Sequence, residues 1–365
     1  SVLIARRCDT QVKASMRVFE LSANRMKRLT QSPIWLAALS AIAFALTTGG
    51  VRLWAGSAAS RQDDSLALKI AHFEAHKDSY TNVFIGNSRI YRGFNPEIFD
   101  QAMAAAGQPS HSYNFGIPAM TEAEITKVVR QISAVDPCCL KYVFVALWSP
   151  SHLVSVRANR TMASYDPVTA WYALQHTLGS KRAPLEKAVM SAEIVAASGL
   201  NVLNVGSLLH RLPEYEPGDT PIGEDSDTYN GYTRLEDESL AEIRQRREKL
   251  LAAGEDAFEQ LVASQQKAYL NRTALQPYQE DSLTVLEGYL ANLKDVELIY
   301  VASPFGQTYE VSDPALTVFD YNDVNANREL FEMPLWFDEG HVSSDGAEWL
   351  TRELAHRVLT LDEVK

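Results

Sequence analysis

An alternation of strand-like and helix-like segments in the first half of the chain limits the possible folds more than any other feature. The short apolar segment Val83–Ile85 is followed by a turn and a helix, and a second strand is predicted at Ser112–Phe115. The capping box formed by Thr121 and Glu124 marks the start of the next helix, which precedes the apolar run Tyr142–Leu147. Such runs are typical of parallel strands that are covered on both faces. The pattern predicts an α/β domain with a doubly wound parallel sheet.

This alternation stops after the third strand and resumes near the last quarter of the chain. The stretch 151–280 contains helix-like segments, notably Asp237–Tyr269, and a polar acidic loop, so we expect a mostly helical insertion there. Beyond it we expect a helix, strands at Val296–Val301 and Leu316–Phe319, and a final helix. The sequence therefore predicts one α/β domain over 55–365 that carries a large insertion.

The N-terminal part predicts a membrane anchor. Ile34–Val51 has no charged residue over 18 residues, close to the roughly 20 that a helix needs to cross a bilayer. Seven of the eight Lys and Arg residues in the first 53 precede this run, and such a basic flank stays in the cytoplasm. We expect a cytoplasmic segment at 1–33, an uncleaved transmembrane signal anchor at 34–54 and an exported domain. The alternatives are a cleaved signal peptide that starts at Met26 and a buried helix of a soluble domain.

The charge distribution excludes nucleic acid as a partner. The formal net charge is −12, and the basic residues gathered before the apolar run leave the rest of the chain strongly acidic. A field of that sign repels a phosphate backbone. The same 365 residues are 46% hydrophobic, which excludes a wholly disordered chain.

The cysteines predict no metal or redox centre. The chain has three cysteines, and no Cys/His spacing in it resembles a metal site, so we expect no cofactor. Cys138 and Cys139 are adjacent, where a mutual disulfide would be strained. They lie at the start of an apolar run, and we expect them to be buried thiols.

A candidate nucleophile lies in the turn after the first predicted strand. That turn reads Gly86-Asn87-Ser88-Arg89, and ligands of open parallel sheets bind beyond the carboxyl ends of the strands. A serine hydroxyl is a weak nucleophile at neutral pH and needs a base within hydrogen-bond reach. Ser88 is therefore a candidate nucleophile that requires a histidine from elsewhere in the chain.

His341 is the candidate base, because its own loop also supplies a carboxylate. Asp338 lies three residues before His341, and Gly340 between them allows the backbone to turn. The carboxylate is expected to bond the imidazole nitrogen that faces away from the serine, which fixes the tautomer and stabilises the imidazolium. We predict a triad of Ser88, His341 and Asp338.

These motifs, in this order, resemble the SGNH/GDSL hydrolase superfamily. Gly86-Asn87-Ser88 is similar to the first family block, Asn114-Phe115-Gly116 to the second, and Asp338-x-x-His341 to the last. The resemblance covers the sheet framework and not the insertion. It implies a flavodoxin-like parallel sheet, a serine nucleophile with an aspartate–histidine pair, and an oxyanion hole built partly from the amides of Ser88 and Gly116.

The residues that would bind the substrate depart from the family pattern. The third block, Gly-x-Asn-Asp, usually supplies an asparagine that stabilises the oxyanion, but the chain reads Ala146-Leu147-Trp148-Ser149-Pro150 there. Loss of one such donor costs on the order of 10²–10³ in rate, so Ser149 and Asn114 are candidates to replace it. Arg89 either steers a carboxylate or acyl oxygen or forms an ion pair that anchors the turn.

The resemblance also implies a function and a location. The Gly-Asn-Ser-Arg variant without a third block is similar to a membrane-anchored branch that includes proteins of polysaccharide O-acetylation and teichoic-acid alanylation. It implies an exported serine esterase or O-acyltransferase of the bacterial periplasm or cell surface. Its substrate would be an acylated sugar or polysaccharide, and its partner a membrane-bound acyl donor protein. The alternative is a catalytically inactive binding or assembly protein of the envelope, with Ser88 beyond hydrogen-bond reach of His341 or the cleft filled.

Overall fold

A computed structural model describes most of the predicted α/β domain. The described residues are 65–147, 165–179, 182–202, 230–238, 240–275, 277–306 and 309–364. The predicted cytoplasmic segment 1–33, the predicted anchor 34–54 and Ser149 lie outside these ranges. Within them, no helix combines the length and apolar character needed to span a bilayer.

The described residues form helices and short strands in alternation. The α-helices are α1 Ser65–His76, α2 Ser88–Gly93, α3 Pro96–Ala105, α4 Glu122–Val135, α5 Pro167–Gly179, α6 Pro184–Val202, α7 Ala241–Leu270, α8 Pro277–Leu290 and α9 Ser344–Val364. The strands are β1 Asn82–Ile85, β2 Ser112–Asn114, β3 Tyr142–Ala146, β4 Thr273–Ala274, β5 Glu297–Ala302, β6 Tyr309–Glu310 and β7 Thr317–Asp320. Short 3₁₀-helices lie at Lys77–Ser79, Arg328–Phe331 and Met333–Leu335.

Five of these strands form one parallel sheet in the order β2-β1-β3-β5-β7. Its register pairs Phe84 of β1 with Phe144 of β3, and Val145 of β3 with Tyr300 of β5. The chain order of these five strands is 2-1-3-4-5, the order of flavodoxin-like sheets, which bind ligands at the carboxyl ends of the two strands where the order reverses. Here those strands are β1 and β3, and the turn that holds Ser88 follows β1.

Helices cover both faces of the sheet. Successive residues of a strand point to opposite faces, and one apolar layer contains Phe84, Phe144 and Ile299 with residues of α3, α7 and α9. The other layer contains Val83 and Val143 with residues of α1, α4 and α8. The predicted α/β class with a parallel sheet and flanking helices is therefore confirmed. Residues 83–85 of β1, 142–146 of β3 and 298–302 of β5 are hydrophobic and buried, because both faces of the sheet are covered there.

Local signals account for the helix starts. The Thr121 side chain accepts from the Glu124 amide, and the Glu124 carboxylate accepts from the Thr121 amide at 2.7 Å, which is the capping box predicted for α4. The Asn95 side chain caps α3 by accepting a hydrogen bond from the Glu97 amide at 3.0 Å, and Pro96 is the first residue of the helix. These caps satisfy backbone N–H groups that a helix cannot pair internally.

The described part of the stretch 151–280 is mostly helical. It contains α5, α6 and α7, and its one short strand, β4, pairs with β6 outside the main sheet. The predicted helix Asp237–Tyr269 corresponds to α7, which is broken at Gly254, where φ is 79°. Only glycine adopts such an angle without strain.

Cys138 and Cys139 correct one expectation, since both thiols are exposed rather than buried. They lie in the turn between α4 and β3, after Asp136, whose φ of 49° ends the helix. The chain is buried at Leu140 and then continuously from Tyr142. The apolar run was read correctly, but its first two residues precede the point at which the strand enters the core.

Leu286 tests the contribution of the apolar layer formed by α1, α4 and α8. Its side chain is 1% exposed, and truncation of a buried leucine to alanine costs about 2–5 kcal/mol. We expect Leu286→Ala to lower the free energy of unfolding by that amount in a denaturant titration. Leu185→Ala is the matched control on α6, because Leu185 is 76% exposed and should change stability by less than about 0.5 kcal/mol. Equal losses in the two variants would contradict this assignment of the core.

Candidate active site

The turn after β1 brings Ser88 to the carboxyl edge of the sheet. Asn87 is the N-cap of α2, and its side chain accepts a hydrogen bond from the Arg89 amide at 3.0 Å. A Cβ atom on Gly86 would lie 2.5 Å from the side chain of Ile90, so only glycine fits there. The strand therefore passes directly into α2, and Ser88 is the first helical residue.

Ser88, His341 and Asp338 form a continuous hydrogen-bonded arrangement. Nε2 of His341 lies 2.8 Å from Oγ of Ser88, and Nδ1 lies 2.9 Å and 3.1 Å from the two carboxylate oxygens of Asp338. With a proton on Nδ1, the imidazole donates to the carboxylate, and Nε2 accepts from the serine hydroxyl. This is the tautomer that a general base needs. The structure thus brings together the three residues predicted as a triad.

A tight loop ahead of α9 holds the aspartate and the histidine together. The amides of Phe337 and Asp338 donate to the His341 carbonyl at 2.9 Å and 3.3 Å. The Gly340 amide donates to the Asp338 carboxylate at 2.8 Å. Backbone contacts within this loop, rather than long-range packing, therefore set the distance between the imidazole and its carboxylate.

The Asp338 carboxyl group is buried, but its charged form is favoured over its protonated form. Its side chain is 8% exposed and the His341 side chain 18%. Burial acts to raise the pKa of Asp338, but the hydrogen bond and charge of His341 and the amides of Gly340 and His341 outweigh it, and the pKa lies below its ordinary value. An ionised carboxylate behind the imidazole stabilises the imidazolium that forms when the serine loses its proton.

Arg89 is anchored inside the protein. Its Nη2 donates to the Phe305 carbonyl at 2.9 Å, while burial lowers its pKa and the charge of Asp338 opposes that effect. Its Nε atom and Oγ of Ser303 are buried without a hydrogen-bond partner among the described residues, and both residues line a small cavity beside His341. The bond to a backbone carbonyl favours the anchoring interpretation of Arg89.

The donor groups of Gly116 and Asn114 are used within the fold. The Gly116 amide donates to Oδ1 of Asn114 at 2.7 Å, and Nδ2 of Asn114 donates to the carbonyls of Ile90 at 3.0 Å and Phe94 at 2.8 Å. Neither residue offers a free N–H for an oxyanion in this geometry, so the role predicted for them is not supported. Gly116 instead permits close packing, because a Cβ there would lie 2.6 Å from Cα of Tyr91.

Segment 230–238 joins the two halves of the site, and sequence reasoning missed it. Arg92 of α2 donates to the Thr233 carbonyl at 2.9 Å. The Glu236 carboxylate accepts from the amide of Ser344 at 2.8 Å and from its hydroxyl at 2.7 Å, at the start of α9. The segment therefore contacts both the helix that carries the nucleophile and the helix that follows the histidine loop.

Helix α7 lines an open groove next to the imidazole. Arg246 and Lys249 border a groove of about 320 Å³ together with Glu339, Gly340 and His341. Lys249 pairs with Glu339 at 2.8 Å on the surface. Arg247 donates to the carbonyl of Trp336, which attaches α7 to the histidine loop. The insertion thus forms one wall of the site.

Lys69 is the second group that sequence reasoning missed. It is 2% exposed, and its ammonium donates to the carbonyls of Asn114, Gly116 and Gly231. A signal was present in the sequence, because Lys69 lies three residues after Leu66, on the apolar side of α1. A charged residue on an apolar helical stripe indicates either a buried partner or an interruption of the stripe.

Metal binding has no support within the part of the chain that the structure describes. There, no group of three or more His, Cys, Asp or Glu side chains is placed so that it could hold a metal ion.

Comparisons with known proteins add no family to this description. No family model matches the chain, and no curated protein matches it. Fold and site together define an α/β protein whose parallel sheet carries a hydrogen-bonded Ser–His–Asp arrangement at the strand β1 edge. Its function is inferred from that geometry.

Asp338→Asn tests the charged state of the carboxylate through the pH dependence of stability. The folded-state pKa of Asp338 is lowered, so its contribution is complete above the unfolded pKa of about 3.9 and is lost as the pH falls through the folded-state pKa. We expect the difference in free energy of unfolding between wild type and Asp338→Asn to be larger near neutral pH than in acid. Denaturant titrations at both pH values measure it.

The control for this prediction is Asp256→Asn, which makes the same chemical change at an exposed position of α7. We expect the difference in free energy of unfolding between the wild type and Asp256→Asn to change little between the two pH values. If the difference in free energy of unfolding between the wild type and Asp338→Asn stays constant or grows in acid, the lowered pKa of Asp338 is contradicted.

Proposed function

We propose that the protein is an SGNH-type serine esterase or O-acyltransferase that acts through an acyl-serine intermediate. The observation that carries this proposal is the pair of contacts made by His341, to Ser88 at 2.8 Å and to Asp338 at 2.9 Å. The strand order and the position of Ser88 after β1 support it further, because sites of such sheets lie at this edge.

The first half of the reaction would form the acyl-serine. The Ser88 hydroxyl gives its proton to Nε2 of His341, while Oγ attacks the ester carbonyl and the carbonyl electron pair moves onto oxygen. Asp338 stabilises the imidazolium formed in this step. When the tetrahedral intermediate collapses, the imidazolium returns the proton to the leaving alcohol, and the acyl group remains on Ser88.

The second half would repeat the same proton transfers with another hydroxyl. His341 takes a proton from the incoming O–H, whose oxygen attacks the acyl carbon, and then gives a proton back to Oγ of Ser88. Water as the attacking group makes the protein an esterase, and a sugar hydroxyl makes it an O-acyltransferase. The groove formed by α7 beside His341 offers space for a sugar or polysaccharide chain.

The developing oxyanion needs N–H donors, which are worth most when they are fixed in place before the reaction. The Ser88 amide is one candidate, because the first N–H groups of a helix have no partner inside it. Ser149, which lies outside the described residues, remains a candidate for the donor that the third family block would supply. Arg89 adds a nearby positive charge, although one of its N–H groups is used on the Phe305 carbonyl.

The proposal includes a place in the cell. The predicted anchor at 34–54 and its basic flank put the domain on the exported side of a membrane, in the bacterial periplasm or at the cell surface. An acylated sugar or polysaccharide of the envelope is then the substrate, and a membrane-bound protein is a candidate acyl donor.

The second candidate function is a binding or assembly protein of the envelope without catalysis. It is favoured by the internal use of the Gly116 and Asn114 N–H groups, which leaves fewer donors for an oxyanion. It also predicts either Ser88 beyond hydrogen-bond reach of His341 or a filled cleft, whereas the separation is 2.8 Å and a groove of about 320 Å³ opens beside His341. The enzyme proposal therefore has the stronger support.

A fluorophosphonate probe tests the nucleophile directly. We expect covalent labelling of the wild-type protein and none of Ser88→Ala, because only an activated serine attacks the probe. Asp338→Asn should label more slowly by about 10⁴-fold, since an amide stabilises the wrong tautomer of the histidine. Mass spectrometry of the labelled peptide gives the site and the rate.

Ser79→Ala is the control, because Ser79 is an exposed serine next to α1 and its removal should not change labelling. Absence of labelling in the folded wild type would favour the binding protein. Turnover of a chromogenic acetyl ester, measured with and without an oligosaccharide acceptor, then separates esterase from transferase through the appearance of acetylated sugar.

A further inference from the structure

Three carbonyl groups from two segments of the chain surround the ammonium of Lys69. Its Nζ donates to the carbonyls of Asn114 at 2.8 Å, Gly116 at 2.8 Å and Gly231 at 2.7 Å. It also lies 4.5 Å from the centre of the Tyr91 ring. An ammonium has three N–H donors, so the charge is fully hydrogen-bonded although the side chain is buried.

One path leads from this ammonium to the turn of the nucleophile. Lys69 bonds the oxygen of the peptide unit that joins Gly116 to Ile117. The N–H of the same peptide unit donates to the Gly86 carbonyl at 3.1 Å, two residues before Ser88. A rotation of this peptide unit would release both contacts together, so the lysine restrains the backbone that presents Ser88.

A second path leads to the helix that Ser88 begins. The ammonium bonds the backbone carbonyl of Asn114, whose side chain donates to the carbonyls of Ile90 and Phe94 in and just after α2. The ring of Tyr91, also in α2, lies next to the ammonium. The lysine thus acts on both ends of a helix of only six residues.

A third contact joins the insertion to this site. Gly231 has a φ of 86°, and a Cβ there would lie 2.2 Å from the Asn114 carbonyl. The Asn230 carbonyl accepts from the Asn114 amide at 2.8 Å. This segment of the insertion therefore meets the end of β2 at the place where Lys69 binds.

We infer that Lys69 is a positioning residue, whose charged ammonium fixes the peptide unit after Gly116 and the helix α2 so that the Ser88 hydroxyl meets His341. The inference rests on the proposed function. An apolar substitute cannot reproduce it, because it leaves three buried carbonyls without a donor. Burial lowers the pKa of Lys69, and the charge of Arg92 adds to this effect.

Lys69→Met tests the inference, since it keeps an unbranched side chain that is one atom shorter and removes the N–H donors. Misplacement of a reacting group by about 1 Å can cost roughly 10²-fold in rate. We expect the fluorophosphonate labelling rate to fall by about 10- to 100-fold, and the kcat of ester turnover to fall similarly with little change in KM. Lys69→Gln keeps two N–H donors, so its labelling rate should lie between those of the wild type and Lys69→Met. If Lys69→Met does not fold, Lys69→Gln provides the test.

Leu286→Ala separates positioning from a general loss of stability. It removes a core side chain from the layer on the other face from α2, so its labelling rate should stay near that of the wild type below its melting temperature. Hydrogen–deuterium exchange gives a readout that is independent of catalysis. Lys69→Met should raise exchange at residues 88–94, 114–117 and 230–234 above the change that Leu286→Ala produces there.

Each outcome decides one of the two proposals. If both Lys69 variants are labelled at the wild-type rate, the inference is wrong. It is also wrong if Leu286→Ala slows labelling as much as Lys69→Met does. Exchange that rises uniformly along the chain in Lys69→Met would also overturn it. No labelling of the folded wild type would reject the proposed function alone, and the exchange pattern would then decide whether Lys69 holds these segments.

Discussion

The close approach of α2 to the ends of three strands is the constraint on which the site depends. A Cβ on Gly86 would collide with Ile90 of α2 and with Ala146 at the end of β3, and a Cβ on Gly116 would collide with the backbone of Tyr91. Both glycines are therefore required by space. Because α2 packs this closely against the strand ends, Ser88 at its first position lies directly at the carboxyl edge of the sheet.

Buried polar groups supply the remaining restraints on this helix. Lys69, Arg92 and Asn114 are almost fully buried and donate mainly to backbone carbonyls of other segments. Such groups are costly to bury without partners, so the segments that supply the carbonyls must keep their positions. The site is thus held by directional bonds in addition to apolar packing, and directional bonds specify orientation where apolar contacts specify mainly proximity.

The two parts of the triad are built in different ways. Asp338 and His341 are joined by a short loop with its own backbone bonds, whereas Ser88 meets His341 through the packing of α2 and α9 against one sheet and through segment 230–238. The aspartate–histidine contact is local and robust, and the serine–histidine contact depends on tertiary structure. Changes far from the chemistry would therefore act first on the serine side.

The sequence by itself determined the parallel α/β class, the capped start of α4 and the pairing of Asp338 with His341, and it predicted Ser88 as their partner from its place in the turn after β1. These features depend on neighbours within a few positions, such as an apolar run, Thr121 with Glu124, or Asp338 with His341. Tertiary structure alone decided that the Asn114 side chain binds α2, that Lys69 is buried and that α7 lines the groove. Those outcomes depend on segments up to 162 positions apart, as between Lys69 and Gly231, and a polar side chain cannot reveal its partner until the fold brings that partner to it.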